Sequence, residues 1–97
     1  MNLADWRRRI DELDTKLVEL LNERSRCALE IGRLKQEARL PLYQPEREKE
    51  VLKNAEHNNK GPLSDAAIRR LFERIIDEAR SAERLAMHSE EKSEDSK

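Results

Sequence analysis

The chain has 97 residues, of which 42% are charged and only 3% aromatic, with 20 basic side chains against 21 acidic ones. That length allows one domain, and the near-neutral balance excludes a general nucleic-acid or membrane-surface binder, because both need a basic excess. Two glycines and three prolines leave room for long unbroken helices.

The first predicted helix runs from about Leu3 to about Leu40. Leu3, Trp6, Ile10, Leu13, Leu17, Leu20, Arg24, Cys27, Ile31 and Leu34 recur at steps of three and four, and Arg24 is the one charge in that seam. A guanidinium stays charged, so Arg24 either escapes to solvent or meets an anion. Asp5, Asp11 and Glu12 lie early in the helix and Arg33 and Lys35 late, which suits its dipole. Only Gly32 interrupts the pattern, and Pro41 ends it by pushing residue 40 away from helical angles.

After the linker Pro41-Leu42-Tyr43-Gln44, Pro45 fits the first turn of a short second helix. Glu46 and Glu48 sit near its positive end, and Val51, Leu52 and Ala55 form its apolar side. The helix fades over residues 56–60, and Gly61-Pro62 breaks it. A third, medium helix begins after Leu63, with Ser64 or Asp65 as N-cap. Ile68, Leu71, Phe72, Ile75, Ile76, Ala79, Ala82 and Ala86 follow its period. The helical domain is therefore read as residues 1–87, and the polar tail 88–97 as disordered.

No apolar run approaches the roughly 20 residues of a membrane span. The first residues lack a basic region followed by an apolar stretch, so no secretory signal is expected there. Cys27 is the only cysteine and fits a reducing cytoplasm. It reads as a small core residue, and His57 and His88 are too sparse for a metal site.

Length carries a consequence for assembly. A helix of about 37 residues is roughly 55 Å long. A compact 97-residue globule is only about 32 Å across. The apolar seam must therefore be covered by another chain, and a homodimer with its long helices packed together is the economical answer.

Ala28, Ile31 and Lys35 follow Arg24 at offsets of four, seven and eleven. Eleven residues turn about 1100°, so Arg24 and Lys35 share a face, with Ala28 and Ile31 as an apolar floor between them. Two long cations over such a floor make a slot for an anion. Arg7 lies on the same strip but about 25 Å from Arg24 along the axis. It cannot reach the same slot within its own chain, but in an antiparallel pair it could reach the slot of the partner. Helix 2 adds Arg47 and Glu48 at its start, and helix 3 places Glu83 on its apolar stripe. Taken singly, each charge has an ordinary reading. Arg24 could snorkel or set register, Lys35 and Glu48 could be solvated, and Glu83 could pair with Arg80 or Arg84. The recurrence of charges at stripe positions on all three helices favours a site.

These residues resemble the all-helical chorismate mutases over roughly Leu3 to Met87. The resemblance is carried by Arg7 with Ile10-Asp11 and Asp14, then Leu20-Leu21-Asn22-Glu23-Arg24, then Ile31-Gly32 and Lys35. Pro45-Glu46-Arg47-Glu48 and Leu71-Phe72-Glu73-Arg74-Ile75-Ile76 complete it. It implies an all-α fold of three helices per chain in an intertwined homodimeric bundle. It implies conversion of chorismate to prephenate, an intramolecular Claisen rearrangement that needs no metal, cofactor or nucleophile. By the same resemblance, Arg24 and the partner subunit's Arg7 would clamp the substrate carboxylates, and Arg47 would add positive charge beside them. Lys35 would donate to the ether oxygen and a carboxylate, Glu48 would accept from the ring hydroxyl, and Glu83 would face Lys35 at the ether oxygen.

Three positions depart from the common pattern. Glu83 stands where many bacterial members have glutamine and fungal ones glutamate. It can donate only when protonated, a state that burial favours and Lys35 opposes. Gln44 stands at a position that is often aspartate, and Ala79 at one that can be serine. The alternatives are a non-catalytic sensing module for the same small dianion, an isochorismate pyruvate lyase on the same scaffold, and a plain helical dimer. The intact set of Arg7, Arg24, Lys35, Arg47 and Glu48 speaks against the sensor.

Overall fold

The computed structural model describes the backbone of residues 1–95 and the side chains through His88. It contains three helices: α1 (Leu3–Glu37), α2 (Pro45–Asn58) and α3 (Asp65–Asp95). Among the described residues there is no strand. None of these helices is long and apolar enough to cross a membrane.

Local chemistry sets most of the boundaries. Asn2 caps α1 through a reciprocal pair: its Oδ1 accepts from the Asp5 backbone N–H at 2.9 Å, and Asp5 Oδ2 accepts from the Asn2 N–H at 3.1 Å. Pro45 occupies the first turn of α2, where its missing N–H costs nothing. Ser64 starts α3, its Oγ accepting from the Ala67 N–H at 3.1 Å.

Two ends differ from the sequence reading. α1 stops at Glu37 rather than near Leu40. The Leu40 N–H bonds to the Lys35 carbonyl at 2.8 Å and the Arg39 N–H to the Gln36 carbonyl at 3.1 Å, the paired bonds of a Schellman motif. Arg39 takes the left-handed position of that motif (φ 59°), which glycine usually fills. At the other end, α3 runs past Met87 through Asp95, where the sequence reading placed a disordered tail. The segment has no glycine or proline to stop it, and its glutamates and lysine tolerate helix well. Residues 96–97 lie outside the described residues.

Both α1 and α2 pack against α3, and not against each other. The chain measures 60 × 30 × 15 Å with a radius of gyration of 17.3 Å, well above the roughly 12.5 Å of a compact globule of this length. Leu52 is the one buried hydrophobic side chain among the described residues. The α1 seam lies open along its length, with Trp6 56%, Leu17 55% and Leu34 55% exposed. Where α1 crosses α3, Gly32 and Glu83 are buried against each other.

Candidate active site

The cavity lies where the second half of α1, the linker, the start of α2 and the middle of α3 converge. Its volume is about 470 Å³. Arg24, Cys27, Ala28, Ile31 and Lys35 come from α1, and Leu42 and Gln44 from the linker. Arg47, Glu48 and Val51 come from α2, and Ile76, Ala79, Arg80 and Glu83 from α3.

Helical period explains each contribution. Arg24, Ala28, Ile31 and Lys35 fall on one strip of α1, and Ile76, Ala79, Arg80 and Glu83 on one strip of α3. The first turn of α2 turns Arg47 and Glu48 to the cavity. Four cations (Arg24, Lys35, Arg47, Arg80) face two carboxylates (Glu48, Glu83), a net charge of +2 with both acids ionised. A small dianion matches that balance, and the apolar side chains of Ile31, Val51 and Ile76 suit a carbon ring.

The cations differ in their ties. Arg24 is half-buried and carries no ion pair among the described residues. Lys35 is half-buried, and its Nζ donates to the Leu42 carbonyl at 3.3 Å. Arg47 pairs with Glu50 along α2. Arg80 Nη2 lies 2.8 Å from Asp77 Oδ1 and 3.5 Å from Glu48 Oε1. Its guanidinium stands 5.0 Å from the centre of the Tyr43 ring.

Glu83 is the buried acid of the site, only 8% exposed. Burial, the largest influence, raises its carboxyl above the ordinary carboxylate pKa, while the charges of Lys35 and Arg80 pull it back. The net direction is upward. Gln44 precedes α2 at the capping position, yet its amide makes no cap hydrogen bond. The amide is thus uncommitted beside the cavity.

All the site candidates of the sequence reading except Arg7 meet in this one cavity. Arg7 is exposed in the first half of α1, outside it. The sequence predicts a core role for Cys27, but in the single chain it is exposed and lines the cavity, because it lies one turn beyond Arg24 on the same strip. Sequence reasoning does not assign Arg80 to the site. In the sequence it reads only as a neighbour of Glu83, and the contacts that place it come from α2 and the linker.

The comparisons with known proteins agree with this geometry. The family model for chorismate mutase type II matches residues 6–84, which include every site candidate. The bifunctional chorismate mutase/prephenate dehydratase of Pseudomonas aeruginosa is 47% identical over 79 residues, covering 76% of this chain and 22% of that protein. The chain thus spans about a fifth of the length of that relative. Among solved structures, the form II chorismate mutase of Thermus thermophilus superposes with a TM-score of 0.83 at 38% identity, covering 84% of this chain and 93% of that one. The chorismate mutase of Helicobacter pylori in complex with prephenate gives a TM-score of 0.81 at 31% identity, covering 89% and 93%. From its helices and its matched residues alike, the chain belongs to the chorismate mutase type II family.

Proposed function

We propose that the chain catalyses the rearrangement of chorismate to prephenate, acting as a homodimer in the cytoplasm. The observation that carries this reading is the cavity of four cations and two carboxyl groups in which Arg24 has no counter-ion among the described residues. A dicarboxylate supplies the missing charge. The solved relative bound to prephenate supports the same choice.

The reaction breaks one ether C–O bond and forms one C–C bond within a single molecule. No proton is transferred and no enzyme atom bonds to the substrate. Catalysis then rests on holding the reactive conformer and meeting the charge that builds on the ether oxygen. Arg24, with Arg47 beside it, binds the carboxylates through charge-assisted hydrogen bonds. Lys35 exchanges its bond to the Leu42 carbonyl for the ether oxygen and a carboxylate. Glu48 accepts from the ring hydroxyl, and Gln44 lies at the same end of the cavity. Glu83, whose carboxyl is shifted by burial toward its protonated form, donates to the ether oxygen opposite Lys35 when it holds its proton. Ala79 leaves a carboxylate without a hydroxyl contact.

The open seam of α1 supports the dimer, since a run of exposed leucines, Ile10 and Trp6 is costly in water. Antiparallel pairing of two α1 helices would carry Arg7 of each subunit to the cavity of the other. Mixing tests both claims. Arg7→Ala and Arg24→Ala should each lower kcat/KM by about a hundredfold or more while remaining dimeric. Co-refolded in equal amounts, they should recover about a quarter of wild-type activity, because each mixed dimer contains one site with neither substitution. Identifying prephenate as the product completes the test. No recovery on mixing would sink the shared site, and full activity in Arg24→Ala would sink the clamp. Binding without turnover, or release of pyruvate, would sink the mutase reading.

A further inference from the structure

Arg80 touches three separate segments of the chain: its own helix, the start of α2 and the linker. It projects from α3, and only a quarter of its side chain is exposed. Its Nη2 lies 3.5 Å from Glu48 at the start of α2 and 2.8 Å from Asp77 one turn back on α3. Its guanidinium carbon stands 5.0 Å from the Tyr43 ring of the linker. Leu42 and Gln44, the neighbours of Tyr43, line the cavity. From the opposite side, Lys35 of α1 holds the Leu42 carbonyl. The linker is thus gripped by one cation from α1 and one from α3.

An ordinary surface ion pair accounts for one of these contacts, the one to Asp77, which does not line the cavity. It does not account for the other two. Both join Arg80 to segments that the chain connects only through the linker and α2. A broad guanidinium can offer an edge to a carboxylate and a face to an aromatic ring, a reach that a compact ammonium matches less well. The Nε atom is buried with no partner, so burial of this group is not offset by complete hydrogen bonding.

We propose that Arg80 is a positioning residue of the substrate site: one guanidinium holds the Glu48 carboxylate and the linker that supplies Leu42 and Gln44, so the cavity keeps its shape for the dianion. The proposal deepens the chorismate reading above and rests on it. Glu48 needs a fixed orientation to accept from a ring hydroxyl, and Arg80 is the one cation paired with it among the described residues. Losing Arg80 loosens the hold on substrate more than it alters the rearrangement.

A second consequence gives a readout that lost packing would not move. Glu83 shares its cavity with Arg24 and Lys35 from α1, Arg47 and Glu48 from α2, and Arg80 from its own helix. Of these, Lys35 and Arg80 hold its carboxyl down against burial. Removing the charge at residue 80 therefore moves Glu83 titration to higher pH. An activity that needs protonated Glu83 then extends further into the alkaline range.

The experiment compares wild type, Arg80→Met and Arg80→Lys in steady-state conversion of chorismate from about pH 5 to about pH 9, which spans carboxylate titration raised by burial. Arg80→Met should raise KM about tenfold, with kcat within about threefold of wild type, and should move the alkaline limb of kcat to higher pH. Arg80→Lys keeps the charge, so its limb should stay with wild type while KM remains raised, because a compact ammonium replaces the broad guanidinium that reaches both Glu48 and Tyr43. A 13C titration of the Glu83 carboxyl in the ligand-free protein should show the same order. Wild-type KM and an unmoved limb in Arg80→Met would overturn the proposal. So would a uniform loss of activity at every pH in both variants, the mark of a purely structural role. A wild type inert toward chorismate would instead overturn the chorismate reading, and this proposal with it.

Discussion

Replacing Gly32 by alanine sets stability against activity at a single atom. Gly32 is buried in α1 where Glu83 of α3 crosses it. A Cβ at that position would lie 3.0 Å from Glu83 Cγ, 3.3 Å from Cδ and 3.4 Å from Cβ. Carbon atoms at rest sit about 3.5–4.0 Å apart, so the Glu83 side chain must retreat by roughly half an ångström or more. Two energies then oppose each other. Alanine in a helix interior is favoured over glycine by about 1 kcal/mol. Forcing Glu83 off its rotamer costs about 0.5–1.5 kcal/mol. They nearly cancel, so the melting temperature should move by less than about 4 °C in either direction. Activity has no such compensation. Misplacement by about 1 Å costs on the order of a hundredfold in rate, so a shift of half that should lower kcat at least about tenfold. Thermal melting by circular dichroism and steady-state chorismate conversion, at matched protein concentration, read the two effects separately. Wild-type kcat in Gly32→Ala would refute the claim that this contact positions Glu83. A fall in melting temperature beyond about 10 °C would refute the compensation, because it would mean that Glu83 cannot yield.

Further outcomes follow from the same geometry. Between the ordinary carboxylate pKa and the raised value, folded Glu83 keeps a proton that the unfolded chain has released. Its contribution to stability is therefore full in acid and lost as pH rises through the raised pKa. Glu83→Gln should melt higher than wild type at neutral pH, and the difference should shrink toward acid pH in a melting series. The same variant should show a rate independent of pH where the wild-type rate declines, which a pH–kcat profile checks. Arg39→Gly removes a side chain from the left-handed position at the end of α1, relieving about 1–2 kcal/mol of steric cost against up to about 1 kcal/mol of added chain entropy. It should raise the melting temperature by a few degrees with unchanged turnover. Ala79→Ser should lower KM for chorismate by about tenfold by restoring a hydroxyl beside a substrate carboxylate, measurable in the same assay.

The local order of this protein is written in its sequence. The period of the seam, Pro45 at a helix start, Ser64 as a cap and Gly61-Pro62 as a break each act over a few residues, and each appears where the chain chemistry places it. Arg24 and Lys35 share a wall because helix geometry alone puts residues eleven apart on one face. The end of α1 was less legible, since an arginine rather than a glycine takes the left-handed position. What only the tertiary structure decided lies between helices. Glu83 meets Gly32, and Arg80 meets Glu48 and Tyr43, across long stretches of chain. Such meetings depend on how α1 and α2 cross α3 and on where the linker turns back, and no residue period encodes either. Packing between helices therefore made Glu83 a buried acid and Arg80 part of the site, although both sit on an amphipathic helix that the sequence already showed.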